Sequence, residues 1–246
     1  GMEFVLHQAA LPSVPRSIDD PETTNEINVR GTLNVLRASA GAKVRRLVFA
    51  SSSSVYGDEP RLPKKEGMEG KLLSPYAVTK RVGELYGQVF TAVYGLETVS
   101  LRYFNVFGPR QDPLSPYAAA VPLFIAQILE GRPPTIFGDG EQSRDFTYVR
   151  NVVEANLLAC EAPAAVGGVF NVACAERVTV NALAEKINAL LGTALKPRHA
   201  DPRPGDIRHS FADIGAAEVA LGYRPRVGFD QGLAETVAWH KERNRR

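Results

Sequence analysis

LVFASSSSVYG, residues 47–57, decides the fold. Leu47 to Ala50 have the composition of a buried strand, and the run ends in four consecutive hydroxyls, Ser51 to Ser54. A second stretch, SPYAVTK at residues 74–80, belongs with it. Ser74 suits a helix N-cap and Pro75 the first helical position, and apolar residues then recur at Val78, Val82, Leu85, Val89 and Val93 with helical spacing. Tyr76 and Lys80 are therefore expected on one helix face, one turn apart. A hydroxyl-tipped strand beside a helix bearing a phenol and an ammonium puts three groups around one carbon atom, as hydride chemistry on an alcohol requires. A phenol titrates near ~10, too high for a general base at neutral pH, but a cation within about 4–6 Å favours the phenolate. Lys80 is expected to supply that cation.

Working outward, strand-like runs occur at Phe4 to Leu6, Arg46 to Ala50, Thr98 to Tyr103 and Val169 to Val172, separated by helical patterns at about 24–40, 76–94 and 149–162. The alternation predicts an α/β protein: a parallel sheet with helices on both faces. From Asp112 onward Pro and Gly become frequent, and the chain reads as shorter elements of a second lobe. We expect one domain from 1–112 and 147–175 and an interleaved α/β lobe from 113–146 and 176–246.

Composition narrows the class. The 246 residues are 44% hydrophobic and 23% charged, ordinary for a globular protein able to bury a sizeable core. A net charge of +2 argues against a nucleic-acid partner. No apolar run reaches the ~18 residues of a membrane span and no signal peptide is recognisable, which points to the cytoplasm by default and to no membrane partner. Cys160 and Cys174 lack metal-ligand spacing and read as inert buried thiols. His7, His199, His209 and His240 are scattered, so no metal site is expected.

Further motifs follow in order: HQAALPSVPRS (7–17), NVRGTLNVL (28–36), LRYFNVFGPRQ (101–111), FGDGEQSRDFTYV (137–149) and RPGDIRHS (203–210). With these, from the first residue to about Trp239, the chain resembles the extended short-chain dehydrogenase/reductases. Within them it is most similar to the nucleotide-sugar 4-epimerases, above all the bacterial ones acting on UDP-N-acetylglucosamine and related UDP-sugars. The resemblance implies a Rossmann-like domain, a lobe for the nucleotide-sugar, NAD as cofactor, a UDP-sugar substrate, and a homodimer formed through the helices at about 24–40 and 76–94. Family members open with a G-x-x-G-x-x-G turn whose helix N-terminus holds the cofactor pyrophosphate. This sequence has no such turn and enters at the fourth expected strand, so two βαβ units, on the order of 60 residues, are expected to be missing. The expectation is an N-terminally truncated Rossmann-like domain that keeps the catalytic residues without most of the cofactor site, inactive as this fragment alone.

The resemblance also assigns roles. Tyr76 is the base for the sugar 4-hydroxyl, Ser52 hydrogen-bonds the same oxygen, Ser53 is a second candidate for proton delivery, and Lys80 reaches the nicotinamide ribose. Ser51 and Ser54 are expected to be strand-end hydrogen bonders. Ala9, Ala10, Lys80 and Tyr103 remain as cofactor contacts. Ser13 meets the hexose, Asn105 the diphosphate or sugar, and Thr135 and Phe137 the uracil. Arg144 and Arg203 clamp the diphosphate, with an ion pair to Asp145 or Asp206 as the alternative for either. Ser210 flanks the hexose, and Asn28 is expected to be an internal hydrogen bonder. Resembling dehydratases carry Asp and Glu at the places of Ser53 and Ser54, and resembling decarboxylases a Glu at the place of Ser54. Hydroxyls at both positions favour epimerisation over elimination. The expected reaction is NAD-dependent 4-epimerisation of UDP-N-acetylglucosamine and UDP-N-acetylgalactosamine through a 4-keto sugar. A UDP-glucose or UDP-uronic acid 4-epimerase, a dehydratase or decarboxylase, or an inactive nucleotide-sugar-binding fragment are the alternatives.

Overall fold

The structure, a computed structural model, describes residues 1–115, 118–202 and 207–244. In chain order its first half comprises β1 (Phe4–His7), α1 (Val14–Asp19), α2 (Pro21–Asn25), α3 (Gly31–Gly41), β2 (Arg46–Ser52), α4 (Pro75–Tyr94), β3 (Glu97–Tyr103) and β4 (Val106–Phe107). There follow α5 (Ala120–Leu129), β5 (Thr135–Phe137), β6 (Ser143–Arg144), β7 (Thr147–Tyr148), α6 (Val149–Glu161), β8 (Val169–Val172), β9 (Val178–Thr179), α7 (Val180–Leu191), β10 (Arg198–Ala200), α8 (Gly215–Leu221) and α9 (Phe229–Arg243). The main sheet has the order β1-β2-β3-β8 and every pairing in it is parallel.

Strand β2 is buried on both faces, as a strand covered by helices on both sides must be. Its side chains alternate: Leu47 and Phe49 join Leu36, Phe90 and Leu96 under α3 and α4, whereas Val48 joins Val99, Leu101, Val152 and Ala155 under α6. Residues Ala217, Leu221 and Tyr223, on and just after α8, pack into that second cluster. A separate core gathers Phe107, Phe124, Ile125, Ile136, Phe146, Leu183, Ile187 and Phe229 from the later elements. No described helix is long and apolar enough to cross a membrane.

Close approach of α4 to the sheet positions the site. A Cβ at Gly83 would lie 2.3 Å from Phe49 Cζ, and one at Gly87 3.1 Å from Thr98 Oγ1. The small face of α4, with Ala77, Gly83 and Gly87 buried, therefore lies on β2 and β3. The apolar stripe that signals the helix in the sequence points the other way: Val78, Leu85, Val89 and Val93 are among the exposed large hydrophobics. Helical spacing identifies a face but not what covers it.

The expected helix at 24–40 is also not uniform. Residues Glu26–Arg30 form a π-helical turn between α2 and α3, in which the buried Asn28 reaches out of its helix. Asn28 Nδ2 donates to Leu11 O (3.0 Å) and Thr79 Oγ1 (3.2 Å), and its Oδ1 accepts from Leu11 N (2.7 Å). Such widened turns recur where a helix serves a site. Both cysteines are free thiols; Cys160 is buried as expected, whereas Cys174 is half-buried at the end of β8. Burial raises the pKa of each, to about 11 for Cys174, so both are poor nucleophiles.

Candidate active site

The N-terminus of α4 is built as the sequence predicts. Ser74 Oγ accepts from Ala77 N at 3.1 Å, Pro75 follows, and Tyr76 and Lys80 occupy successive turns. Strand β2 ends at Ser52, whose hydroxyl caps the 3₁₀ turn Ser53–Tyr56 by accepting from Ser54 N at 3.2 Å. The same side chain acts on the Tyr76 phenol, drawing its pKa down. Ser53 opens the turn and makes no side-chain hydrogen bond among the described residues, and of the two serine candidates it is Ser52 that acts on the Tyr76 phenol.

The electrostatics differ from the expectation. Lys80 is 5% exposed, its Nζ donates to Ala50 O at 2.7 Å, and it lies 5.8 Å from the Tyr76 ring centroid. Burial pushes the Lys80 ammonium down to about 8. Burial likewise raises the Tyr76 phenol above its ordinary value, and the Ser52 side chain opposes that rise only in part. Lys80 thus does not by itself make the phenol acidic: both groups share one dry environment, which disfavours the charged form of each.

Behind the serines lies a network the sequence reading missed. Ser51 Oγ donates to Glu84 Oε1 at 2.6 Å, and the two carboxylate oxygens of Glu84 also accept from Arg102 Nε and Nη2, both at 2.8 Å, and from Arg81 Nη1 at 2.8 Å. Arg102 pairs further with Glu69 and stacks on the Tyr56 ring, whose hydroxyl donates to Asn171 Oδ1 at 2.6 Å. Burial works against the Arg102 charge, but the Glu84 carboxylate outweighs it and holds the guanidinium above the usual arginine range. Ser51 is thus a strand-end hydrogen bonder as expected. Ser54 is not: its Oγ is buried without a partner, because the cap of the 3₁₀ turn is supplied by Ser52.

In front of α4 runs the loop after β1. Asn28 holds it at Leu11, which places Ala9 (exposed), Ala10 (half-buried) and Ser13 beside α4 through the Asn28–Thr79 bond. Ser13 caps α1, accepting from Arg16 N at 3.3 Å, with φ 97°, a left-handed value that a serine adopts only under constraint. Tyr103, at the end of β3, accepts from Asn156 Nδ2 (2.9 Å) and Gln8 Nε2 (3.1 Å).

Asn105, Thr135, Phe137 and Arg144 line one cleft of about 220 Å³, together with Phe124 and Gln142. Four residues assigned separately along the sequence are therefore neighbours in space. Asn105 itself has φ 27°, and its carbonyl accepts from Thr147 N at 3.2 Å. Arg144 Nη1 donates to Ser143 O (2.9 Å) and Arg208 O (3.2 Å). Asp145, one candidate ion-pair partner, instead accepts from the backbone N–H groups of Cys174 (3.0 Å) and Ala212 (3.2 Å), and burial pushes its carboxyl up to about 6. Ser210 donates its N–H to Ser143 O at 3.0 Å and so stands beside this cleft without lining it. Arg203 and Asp206 lie outside the described residues.

The sequence model of the NAD dependent epimerase/dehydratase family matches residues 1–173. The chain is 38% identical over 245 residues to a putative UDP-glucose 4-epimerase of Methanocaldococcus jannaschii, covering 99% of this chain and 79% of that protein. It belongs to the NAD dependent epimerase/dehydratase family. Among solved structures, it superimposes on the UDP-N-acetylglucosamine 4-epimerase of Methanobrevibacter ruminantium M1 in complex with UDP-N-acetylmuramic acid, with TM-score 0.94 and 44% identity over 98% of this chain and 77% of that one. The UDP-glucose 4-epimerase of Thermotoga maritima with UDP-glucose gives TM-score 0.94 and 37% identity, over 98% of this chain and 78% of that one.

The cofactor of an NAD-dependent epimerase/dehydratase fits the donors present. Lys80 uses one N–H on Ala50 O, and the other two have no partner among the described residues, which suits ribose hydroxyls. Ala9 and Ala10 add no bulk to the loop before them, and Tyr103 presents a hydroxyl at the end of β3. Of the residues that sequence reasoning missed, Glu84, Arg102 and Asn156 carried no local signal, because each acts on a partner many positions away, and Gln142 is held by Phe137 five residues before it.

Proposed function

We propose that the protein is a UDP-hexose 4-epimerase acting on UDP-N-acetylglucosamine and UDP-N-acetylgalactosamine. The observation that carries this reading is Tyr76 and Lys80 on successive turns of α4, with Lys80 Nζ 5.8 Å from the Tyr76 ring centroid and Ser52 acting on the phenol, and with hydroxyls at Ser53 and Ser54 where elimination would call for an acid. The UDP-sugar 4-epimerase activities of its relatives support it. Tyr76 takes the proton of the sugar 4-hydroxyl while Ser52 holds the same oxygen. NAD, when bound, supplies the reversible hydride acceptor for C4. Arg144 and Arg203 anchor the diphosphate, Thr135 and Phe137 the uracil, and Asn105 and Ser13 the sugar side. Because the charged anchors hold the diphosphate, the keto sugar can turn beyond it and present its other face, and Tyr76 returns the proton.

Substrate range rests on Ser210. It is small and half-buried, next to the strand carrying Arg144, and leaves room for an N-acetyl group. Ser210→Tyr is expected to lower kcat/KM for UDP-N-acetylglucosamine at least about tenfold more than for UDP-glucose, on the scale of ~1.4 kcal/mol. Equal losses on the two sugars would remove this position from specificity.

We also propose a homodimer through the exposed side of α4. Leu85, Val89, Val93 and Tyr94 on α4 and Ile27 on the π turn are large apolar side chains left at the surface. Sedimentation should show a dimer for the protein and a monomer for Val89→Glu; an unchanged mass for the variant would place any interface elsewhere.

A further inference from the structure

Three segments meet at Ser143, which is 2% exposed. Ser143 Oγ accepts from Arg177 Nε and Nη2, both at 3.3 Å, and lies 2.9 Å from His209 Nδ1. Strand pairing fixes the approach: β6 and β9 are antiparallel, with Arg144 opposite Val178, so that Arg177 enters immediately beside Arg144. Stretch 207–210 closes the third side, Ser143 N donating to Arg208 O at 2.9 Å. Arg177 and His209 thus meet the buried Ser143 hydroxyl, while Arg144 donates to the Ser143 carbonyl and Arg208 joins through its backbone. Asp139 pairs with Arg208 at 2.9 Å, but Arg177 has no carboxylate partner among the described residues. Burial and then the fields of Arg177, Arg208 and Arg144 lower the His209 pKa, with Asp139 opposing, so the local potential is positive.

The cluster also lies between two clefts. Arg144 lines the one containing Thr135 and Phe137. Arg208 and His209 line another, of about 370 Å³, with Gly57 and Leu73, and Leu73 immediately precedes the N-cap of α4. On the proposed reading, a ligand with its aromatic base at Phe137 and its reacting end toward Tyr76 carries its anionic middle past Arg144, which lines the first cleft.

We infer that Arg177 is a further binding residue for the diphosphate of a nucleoside diphosphate, its guanidinium moving from Ser143 Oγ onto the anion beside Arg144. Two hydrogen bonds of 3.3 Å to one neutral hydroxyl are a weak use of a guanidinium, and a phosphate oxygen pair matches its fork far better. This rests on the proposed nucleotide-sugar reading and deepens it.

The test is calorimetric titration of the protein with UDP and with uridine, neither of which depends on turnover. Arg177→Gln, an exposed position, is expected to weaken UDP binding about tenfold, the scale of a lost charge-assisted hydrogen bond, and to leave uridine binding unchanged; Arg177→Lys should recover part of the loss. If UDP binds the protein but Arg177→Gln changes its affinity less than twofold, the inference falls and the nucleotide-sugar reading stands. Equal weakening of UDP and uridine would mean that the variant disturbs the fold, which also overturns it. Absence of any UDP binding to the protein would overturn both.

Discussion

Tyr76→Phe is expected to lower kcat for interconversion of UDP-N-acetylglucosamine and UDP-N-acetylgalactosamine by about 10³-fold or more, with UDP affinity and melting temperature nearly unchanged. The change deletes one oxygen, the atom that takes and returns the 4-hydroxyl proton in the proposed reaction, and general acid–base groups contribute typically 10²–10⁴-fold. The half-buried ring keeps its packing. Nothing else nearby can take over: Ser53 makes no side-chain hydrogen bond there, Ser54 Oγ is enclosed without a partner, and Lys80 is tied to Ala50 O. The raised phenol value adds a second reason for a large effect, since proton abstraction by Tyr76 depends on the groups that stabilise its anion. Ser52→Ala should therefore also lose activity, by less, because it removes a hydroxyl that favours the Tyr76 anion and not the base. Product formation followed by chromatography decides the matter: a kcat for Tyr76→Phe within tenfold of the unmodified protein would exclude Tyr76 as the base.

What was legible in the sequence is what depends on near neighbours along the chain. The N-cap at Ser74, the i, i+4 relation of Tyr76 and Lys80, and the strand ending in serines are local, and the structure realises each of them. The four strands of the main sheet likewise fall within two residues of their expected ends, because buried parallel strands are short, nearly continuous apolar runs. The direction in which an apolar stripe faces was not legible. Gly83 and Gly87 put the small side of α4 on the sheet, a choice that depends on Phe49 and Thr98 rather than on the helix itself. The protonation balance of Tyr76 and Lys80 was misjudged for a related reason. Spacing gives the proximity of two groups, whereas their charge depends on how much water the rest of the fold excludes. In the second lobe, motif order along the chain named Asn105, Thr135, Phe137 and Arg144 separately, and only the folded chain shows that they line one cleft.

Glu84 marks the limit of such reading, and its removal should have the largest effect on stability. The side chain is fully buried and accepts four hydrogen bonds, from Ser51, twice from Arg102 and from Arg81. Arg102 is 1% exposed, and its Nη1 already lacks a partner, so it has no spare solvation to fall back on. Glu84→Ala leaves that guanidinium with Glu69 alone, and uncompensated buried charges cost about 3–5 kcal/mol. For a chain of this size, we expect the melting temperature to fall by roughly 10 °C. Replacing both partners, Glu84→Met with Arg102→Met, should be milder than Glu84→Ala alone, because the desolvation cost of the pair disappears with its charges. That ordering separates a buried ion pair from simple loss of side-chain volume, which would make the double variant the worse of the two. The same change should reach the chemistry: Glu84 holds Ser51, the residue before Ser52, and lies one turn beyond Lys80 on α4, so it fixes the helix against the end of β2 where the phenol and hydroxyl meet. Urea unfolding of the single and double variants provides the measurement. A Glu84→Ala protein within about 1 kcal/mol of the original would show that water or Glu69 satisfies Arg102 without it, and that the register of α4 is set by packing on Phe49 instead.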